Sequence, residues 1–541
     1  MSIEAWLERF GRGWRGPLLA ALVVLAAGLP GLLALPPLDR DESRFAEATA
    51  QMLETGDFVS PMFQDTPRYK KPVGVYWLQA ASVAALSHVE DRQIWAYRIP
   101  SLLGAMLAAA ACAWGAAAFL EPGYALLAGA MLGSTFLLSM EASIAATDGV
   151  LAGAVTLAMA ALGRLYLAAR GGPPANVWVK VLFWAGMALS ILVKGPIGPM
   201  VAGLTMIALM AWDRKAVWLA HIGWGWGLLG IAAVVGPWAL AVTVASDGSF
   251  WGASRGGDLA PKLLGGQEGH GEPPGYYILL APLMLFPAVL LAPSGVSLGW
   301  RNLRTAWRSE GDAGVRFALC WLIPTWLVFE AVPTKLIHYP LPLYGALAWL
   351  MAAAVGPLAA VRFDGGHDMF IAAIAGVLYL VAGAAGAWWL LRGSALKALL
   401  VGGAVALIAH GLLLGMVAPS LRSMWLSSRA ARALAAAGAS PRQGVISGPV
   451  TVAGYEEPSL VFLLGSDTQL GDASDAAQAI VDGRPALVEQ RQDSAFEAAL
   501  KPDDAVARRV GEGAGVDYSN GHHDVLQIFL PVNAPASEAE P

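Results

Sequence analysis

A carboxylate pair, Asp41-Glu42, and a Lys70-Lys71-Pro72 triplet bracket one charged segment, LDRDESRFAEATAQMLETGDFVSPMFQDTPRYKKPVGVYW, from Leu38 to Trp77. A carboxylate such as Asp41 can act as a general base or hold a cation, and Arg44, one turn on, can take an anion. Lys71 offers a point charge to a phosphate. Tyr69, Tyr76 and Trp77 stand beside these lysines, and Tyr76 and Trp77 suit packing against a lipid chain. A loop of about forty residues with this composition is expected to carry function. Each residue also has a plainer use. Phe45, Ala48 and Met52 recur at helical spacing, which predicts a short amphipathic helix on the membrane surface with Asp41 as its N-cap and Arg44 as a solvated charge. The Lys-aromatic cluster equally reads as an interfacial anchor.

A second carboxylate, Asp148, follows in the connection Glu141-Ala-Ser-Ile-Ala-Ala-Thr147-Asp148. It either caps the next helix or joins Asp41 in the kind of carboxylate pair that glycosyl chemistry uses; Glu141 reads as an interfacial residue. Lys194-Gly195-Pro196 interrupts two apolar runs, and Thr334-Lys335-Leu336-Ile337-His338-Tyr339-Pro340 interrupts two more. Lysines at such ends can simply snorkel. The connection Ser246–Gly275 adds Arg255 and His270 among many glycines, as a flexible lid would. No Walker A, HExxH or dinucleotide fingerprint occurs, so no cofactor is assigned, and no metal ligands; a divalent cation stays possible. A net charge of −5 points to no nucleic-acid partner.

These residues need a scaffold, and composition names it. Of 541 residues 56% are hydrophobic and 14% charged, against about 25% charged in soluble domains, so most of the chain belongs in lipid. Apolar windows of about 20 residues fall near 17–35, 97–119, 123–140, 149–168, 177–193, 196–212, 217–245, 275–293, 316–332, 340–357, 369–391 and 395–419, about twelve spans. The short stretch Val73–Leu86 reads as an interfacial helix, and the first span as a retained anchor. Placing Arg9, Arg12, Arg15, Arg164, Arg170, Lys180, Arg214, Lys215 and the Arg301–Arg316 cluster in the cytoplasm leaves the polar connections named above together on the outer face. Cys112 and Cys320 fall in apolar runs and read as small buried hydrophobes. Residues 421–541 lose the long apolar runs. Gly444–Ser447, Ser459–Leu464, Ala486–Glu489 and Val525–Leu530 look strand-like, Ser428–Ala437 helical, and Ala534–Pro541 a disordered tail. The expected fold is mainly α: a polytopic membrane helix bundle over 1–420 with a small soluble α/β domain over 421–541. Twelve spans, and Arg422, Arg429 and Arg432 after the last, argue for a cytoplasmic domain, and one span more or fewer would place it on the outer face, so its side is left open.

In kind and in order, the Asp41-Glu42-x-Arg44-Phe45-Ala46-Glu47 opening, Lys71-Pro72 with Tyr76-Trp77, Thr147-Asp148, Lys194-Gly195-Pro196, His270-Gly-x-Pro273 and Thr334-Lys335-Leu-x-His338-Tyr339-x-Leu-Pro342 resemble a known family. It is that of the membrane-embedded C-type (GT-C) glycosyltransferases, on the side of the lipid A aminoarabinose transferases and the protein mannosyltransferase superfamily. The resemblance covers about 38 to 345 and implies an inner-membrane enzyme with a periplasmic site and a polyprenyl-phosphate sugar donor. The implied acceptor is lipid A or another envelope glycolipid or glycan, and the implied transfer is inverting. On that resemblance Asp41 matches the catalytic carboxylate, Asp148 the second outer carboxylate, and Arg44 and Lys71 phosphate-contacting positions. The substrate-binding set extends to Tyr69, Tyr76, Lys194, Arg255, His270, Lys335, His338 and Tyr339. One position departs: the aminoarabinose transferases carry a metal-associated glutamate just before the Lys-Pro, where this chain has Lys70. A protein O-glycosyltransferase of the same fold is the nearest alternative. A transporter or flippase of lipid-linked sugar belongs to another class, and it is disfavoured because the polar residues gather in outer connections rather than at mid-span.

Overall fold

Backbone in lipid has no water to satisfy its N–H and C=O groups, so the apolar runs close into helices. The computed structural model describes residues 3–259, 271–305, 313–358, 386, 388–389, 392, 394–412, 414–415, 424–441, 448–503, 505–517 and 522–532. Among them, six helices are long and apolar enough to cross a membrane: Arg15–Ala34, Ile94–Ala116, Asp148–Ala168, Val177–Lys194, Trp224–Ala245 and Ala313–Ala331. Shorter apolar helices include Gly74–Leu86, Pro122–Gly133 and Ile197–Asp213. Two expected spans are broken. The 123–140 window ends one helix at Gly133 and restarts at Phe136, where Thr135 Oγ1 accepts the Leu138 N–H at 3.4 Å. The 275–293 window stops at Met284, and Pro287 withholds the N–H that a continuing turn needs. The expected 369–391 span lies outside the described residues, apart from a few positions.

The chain forms two compact units. One comprises Met1–Leu33, Tyr69–Val75 and Arg98–Gly415, the other Ala34–Arg68, Tyr76–Tyr97 and Met416–Pro541. In the first, small residues set the helix packing. A Cβ on Gly153 would lie 2.3 Å from the Gly104 carbonyl oxygen, and one on Gly104 2.5 Å from Val150 Cα. Helices Ile94–Ala116 and Asp148–Ala168 therefore meet backbone to backbone. Gly186, whose Cβ would lie 2.7 Å from the Ala154 oxygen, brings Val177–Lys194 against the same helix, with Asp148 at the start of one and Lys194 at the end of the other. Gly153→Leu is expected to cost about 1–3 kcal/mol or more, read as a lower unfolding midpoint in detergent, whereas Gly203→Ala, at a position open to space, is expected to leave the midpoint in place. Equal midpoints for both variants would mean the helices part freely. At the other end of this bundle Asp213 accepts from Tyr166 Oη at 2.9 Å, from Arg316 Nη1 at 2.6 Å and from Arg170. Cys112 and Cys320 are buried free thiols.

The second unit is built on a short ribbon, β1 (Met62–Phe63) with β2 (Thr66–Pro67), and on a five-stranded sheet. The sheet comprises β3 (Thr451–Ala453), β4 (Gln469–Gly471), β5 (Ala486–Glu489), β6 (Ala507–Val516) and β7 (His523–Pro531), in the order β4-β3-β5-β7-β6. β3 is parallel to β4 and β5, and β7 antiparallel to β5 and β6. Helices cover both faces: Leu426, Ala430 and Leu434 pack with Val452, Leu487 and Ile528, while Ala476, Ile480 and Phe496 pack with Val488 and Phe529. The expected strand at Ser459–Leu464 is instead the helix Pro458–Leu464. A short apolar run fits either element, and Pro458 at the first helical position decides it. Gly444–Ser447 and Ala534–Pro541 lie outside the described residues, Ser447 being the last of the first set.

The helix Asp41–Thr55 forms as the spacing predicts, but not as a surface helix. Glu42, Ser43, Phe45, Ala46, Glu47 and Ala48 are all buried. Arg92 ties it to the C-terminal residues: Nη1 donates to Glu47 Oε2 at 2.7 Å, Nη2 to Ser466 Oγ at 3.1 Å and also to Glu54, while Ser466 Oγ donates to Glu54 Oε2 at 2.8 Å. The C-terminal residues therefore lie on the same side of the membrane as the Leu38–Arg68 loop. An even number of crossings must separate them, whereas the apolar windows count to an odd one, so the crossings differ by one from that count.

Candidate active site

The antiparallel helices of the first unit bring their charged ends together. Lys194 Nζ lies 2.7 Å from Asp148 Oδ1, and Thr147 Oγ1 donates to Asp148 Oδ2 at 2.9 Å. Asp148 also sits at the start of its helix, where the macrodipole favours an anion. From the Thr334–Tyr339 connection, His338 places Nε2 3.6 Å from Asp148 Oδ2 and Nδ1 3.5 Å from Glu141 Oε1. Lys194 Nζ lies 5.5 Å from the centre of the Tyr339 ring. Asp148, Lys194, His338 and Tyr339, four residues singled out in sequence, thus form one constellation. Glu141 completes it. It is 1% exposed, and its Oε2 has no hydrogen-bond partner among the described residues. The interfacial reading of Glu141 is thereby corrected. At the end of an apolar run, such a carboxylate carries no sequence signal that separates a buried place from an interfacial one.

Burial disfavours the His338 imidazolium, but Asp148, and then the hydrogen bond and charge of Glu141, hold its pKa above the ordinary 6.5. Burial pushes the Glu141 carboxyl upward. A base with a raised folded pKa contributes stability that is complete below its unfolded value and is lost as pH rises through the folded one. The unfolding midpoint of the wild type is therefore expected to decline as pH climbs above 6.5, and His338→Gln to lack that slope. Parallel pH curves would remove His338 as a carrier of charge.

In the second unit, Asp41 opens its helix without capping it. The N-cap is Arg40, at φ 62° and ψ −111° with no side-chain cap. The Asp41 side chain is 66% exposed, with Arg68 Nη2 3.5 Å from Oδ1. Arg68 itself is buried and lies 4.9 Å from the centre of the Phe45 ring. Arg44 is half-buried one turn on. Tyr76 is fully buried, its ring 5.4 Å from Phe45, so it serves the interior of this unit; the expectation that it packs on a lipid chain is corrected. Just ahead of the helix, the Leu38 N–H donates to Glu42 Oε2 at 2.8 Å and Ser43 Oγ donates to the Leu38 carbonyl. Burial pushes the Asp39 carboxyl up to about 6, against the pull of the Ser459 hydroxyl.

The remaining expected residues divide. Tyr69 meets Phe250 edge-on at 5.4 Å, tying the Lys70-Lys71 segment to the start of the Ser246–Gly275 connection. Lys71 is half-buried and Lys70 exposed. Lys335 is buried and donates to the carbonyls of Glu272 at 2.8 Å and Val332 at 2.7 Å, a tether between two segments. Arg255 is exposed, with Nε donating to the Trp251 carbonyl at 3.3 Å. His270 lies outside the described residues.

Residues 37–248 match the family model for dolichyl-phosphate-mannose-protein mannosyltransferases. The undecaprenyl phosphate-alpha-4-amino-4-deoxy-L-arabinose arabinosyl transferase of Shewanella sediminis is 26% identical over 58% of this chain and 55% of its own length. That of Pseudomonas aeruginosa is 28% identical over 65% of this chain and 64% of its own. The chain thus spans less than two thirds of these relatives. The crystal structure of ArnT from Cupriavidus metallidurans bound to undecaprenyl phosphate superposes over 100% of both chains with a TM-score of 0.73 at 18% identity. In sequence over part of its length, and in fold, the chain is similar to membrane-embedded glycosyltransferases. A metal is the next question. Lys70, at the position of the metal-associated glutamate, is an exposed ammonium and no ligand for a cation. Glu141, Asp148 and His338 do have ligating atoms within 4.8 Å of one another, and their donor types suit a divalent ion. Their arrangement fits protons better: each His338 nitrogen faces a different carboxylate, whereas an ion would use one nitrogen, and Lys194 already neutralises Asp148.

Proposed function

We propose that this protein transfers a sugar from a polyprenyl-phosphate donor to an acceptor at the periplasmic face of the inner membrane, with lipid A or a related envelope glycolipid as the acceptor. The observation that carries this reading is the full-length likeness to a transferase solved with undecaprenyl phosphate, joined to sequence relatives named for an undecaprenyl-phosphate sugar donor. The acceptor oxygen attacks the anomeric carbon, the bond to the phosphate oxygen breaks with inversion, and polyprenyl phosphate leaves with the electron pair. Asp41 accepts the proton of a hydroxyl acceptor; a phosphate acceptor is already anionic, and Asp41 then orients it. Lys71 and Arg44 stabilise the charge that grows on the leaving phosphate. Asp148, Lys194 and His338 hold a charge-balanced constellation rather than a second base. The match to the protein mannosyltransferase model over 37–248 favours a protein hydroxyl as the second reading of the acceptor.

Purified protein in nanodiscs, given undecaprenyl-phosphate-linked sugars with lipid A, peptide and polysaccharide acceptors in turn, tests both readings. Transfer to lipid A alone supports the first and transfer to peptide the second; no transfer, with no retention of donor, rejects the enzyme. Within this assay Lys71→Ala is expected to weaken donor use about ten- to a hundred-fold, since a charge-assisted hydrogen bond is worth about 1.5–3 kcal/mol and each 1.4 kcal/mol is tenfold. Lys70→Ala, at an exposed position, is expected to do much less. Equal losses would reduce the two lysines to a general basic patch.

A further inference from the structure

We propose that Ser459 and Asp39, in the second unit, are positioning residues for Asp41, so that the C-terminal residues take part in the transfer by fixing the geometry of its carboxylate. The inference rests on the reading of Asp41 as the catalytic group. The turn that delivers Asp41 is strained: Arg40 occupies φ 62°, ψ −111°, a region that favours glycine, and such a conformation persists only where the surroundings over-determine it. Contacts on one side are local, from Glu42 and Ser43 to Leu38. On the other side the contact is distant in sequence. Ser459, 1% exposed, bonds through Oγ to Asp39 Oδ1. Behind it stand Ser427 Oγ at 2.6 Å, and then Tyr455 Oη at 2.8 Å from Ser427.

The Ser459 hydroxyl is within hydrogen-bond reach of both Asp39 Oδ1 and Ser427 Oγ, and Ser427 pairs with Tyr455 Oη. The hydroxyls thus form a connected buried network behind the Asp39 carboxylate. Ser427 and Ser459 are buried on the helices Leu426–Ala436 and Pro458–Leu464, whose packing over the sheet gives the network a rigid base. Rigid support of this kind places a reacting group within the narrow tolerance that chemistry requires. The exposed Asp41 carboxylate is thus aimed from two residues upstream, with Arg68 beside it.

The test uses the full-length protein in nanodiscs with an undecaprenyl-phosphate-linked sugar and the acceptor found active, comparing wild type, Ser459→Ala, Ser459→Thr and Tyr455→Phe. Ser459→Ala is expected to lower kcat about ten-fold or more with donor KM unchanged, Ser459→Thr to restore most of it, and Tyr455→Phe to give a smaller loss. Amide hydrogen exchange over residues 38–44 is expected to speed up in Ser459→Ala while the strands β5 and β7 keep their protection. Unchanged kcat and unchanged exchange in Ser459→Ala overturn the proposal, as does a loss of kcat accompanied by loss of protection throughout the sheet, which marks a merely structural role. If wild type transfers nothing, the functional reading fails, and exchange still decides the tether: faster exchange over 38–44 supports it, unchanged exchange overturns it.

Discussion

Asp41→Asn is expected to lower transfer to a hydroxyl acceptor by a hundred-fold or more, because general-base catalysis contributes about 10²–10⁴-fold. Folding should hardly register the change. The side chain is 66% exposed and Arg68 is 3.5 Å away, and surface substitutions usually fall within about 0.5 kcal/mol. The acceptor sharpens the test. A lipid A phosphate needs no proton removed, so Asp41→Asn should cost less with that acceptor than with a sugar or protein hydroxyl. Turnover and unfolding midpoint measured on the same preparation separate the cases. Unchanged turnover with every acceptor removes Asp41 from the site, and a lost midpoint makes it a structural carboxylate.

Helices were the legible part of this chain, because a long apolar run in lipid has one way to satisfy its backbone. What escaped the sequence was non-local. Ser459–Leu464 is apolar and short enough for either element, and Pro458 settles it as a helix. The breaks at Gly133 and Met284 depend on a capping threonine and on prolines whose effect is a matter of one or two residues. The helix at Asp41 was legible from its spacing, but not its burial. With that burial goes Arg92, which pairs with Glu47, 45 residues away, and reaches Ser466, 374 residues away.

The same reasoning explains the site. Asp148, Lys194, His338 and Tyr339 stand out singly because charged residues between apolar runs are costly. The meeting of Asp148 with Lys194 goes with the glycines at 104, 153 and 186, which let three helices approach closely, and spacing alone does not encode that. Glu141 was missed because a carboxylate at a helix end looks the same whether it faces water or a histidine. Only the 3.5 Å approach of His338 separates the two.

Lys194→Met carries the largest expected loss of stability. Lys194 and Asp148 have side-chain exposures of 13% and 7% and are 2.7 Å apart. Removing one member of a buried pair leaves the other charge uncompensated and costs about 3–5 kcal/mol. His338 cannot fully replace the ammonium, since its nitrogens are shared between Asp148 and Glu141 at 3.6 and 3.5 Å. Asp148→Asn should destabilise for the mirror reason, stranding Lys194. The double variant removes both charges together and should be more stable than the sum of the two losses, the mark of direct coupling. Unfolding midpoints of the four proteins in one detergent give the cycle. Additive losses would mean that the pair does not act as a unit. A fully stable Asp148→Asn that transfers nothing would return Asp148 to the role of a reacting carboxylate that its place in the sequence first suggested.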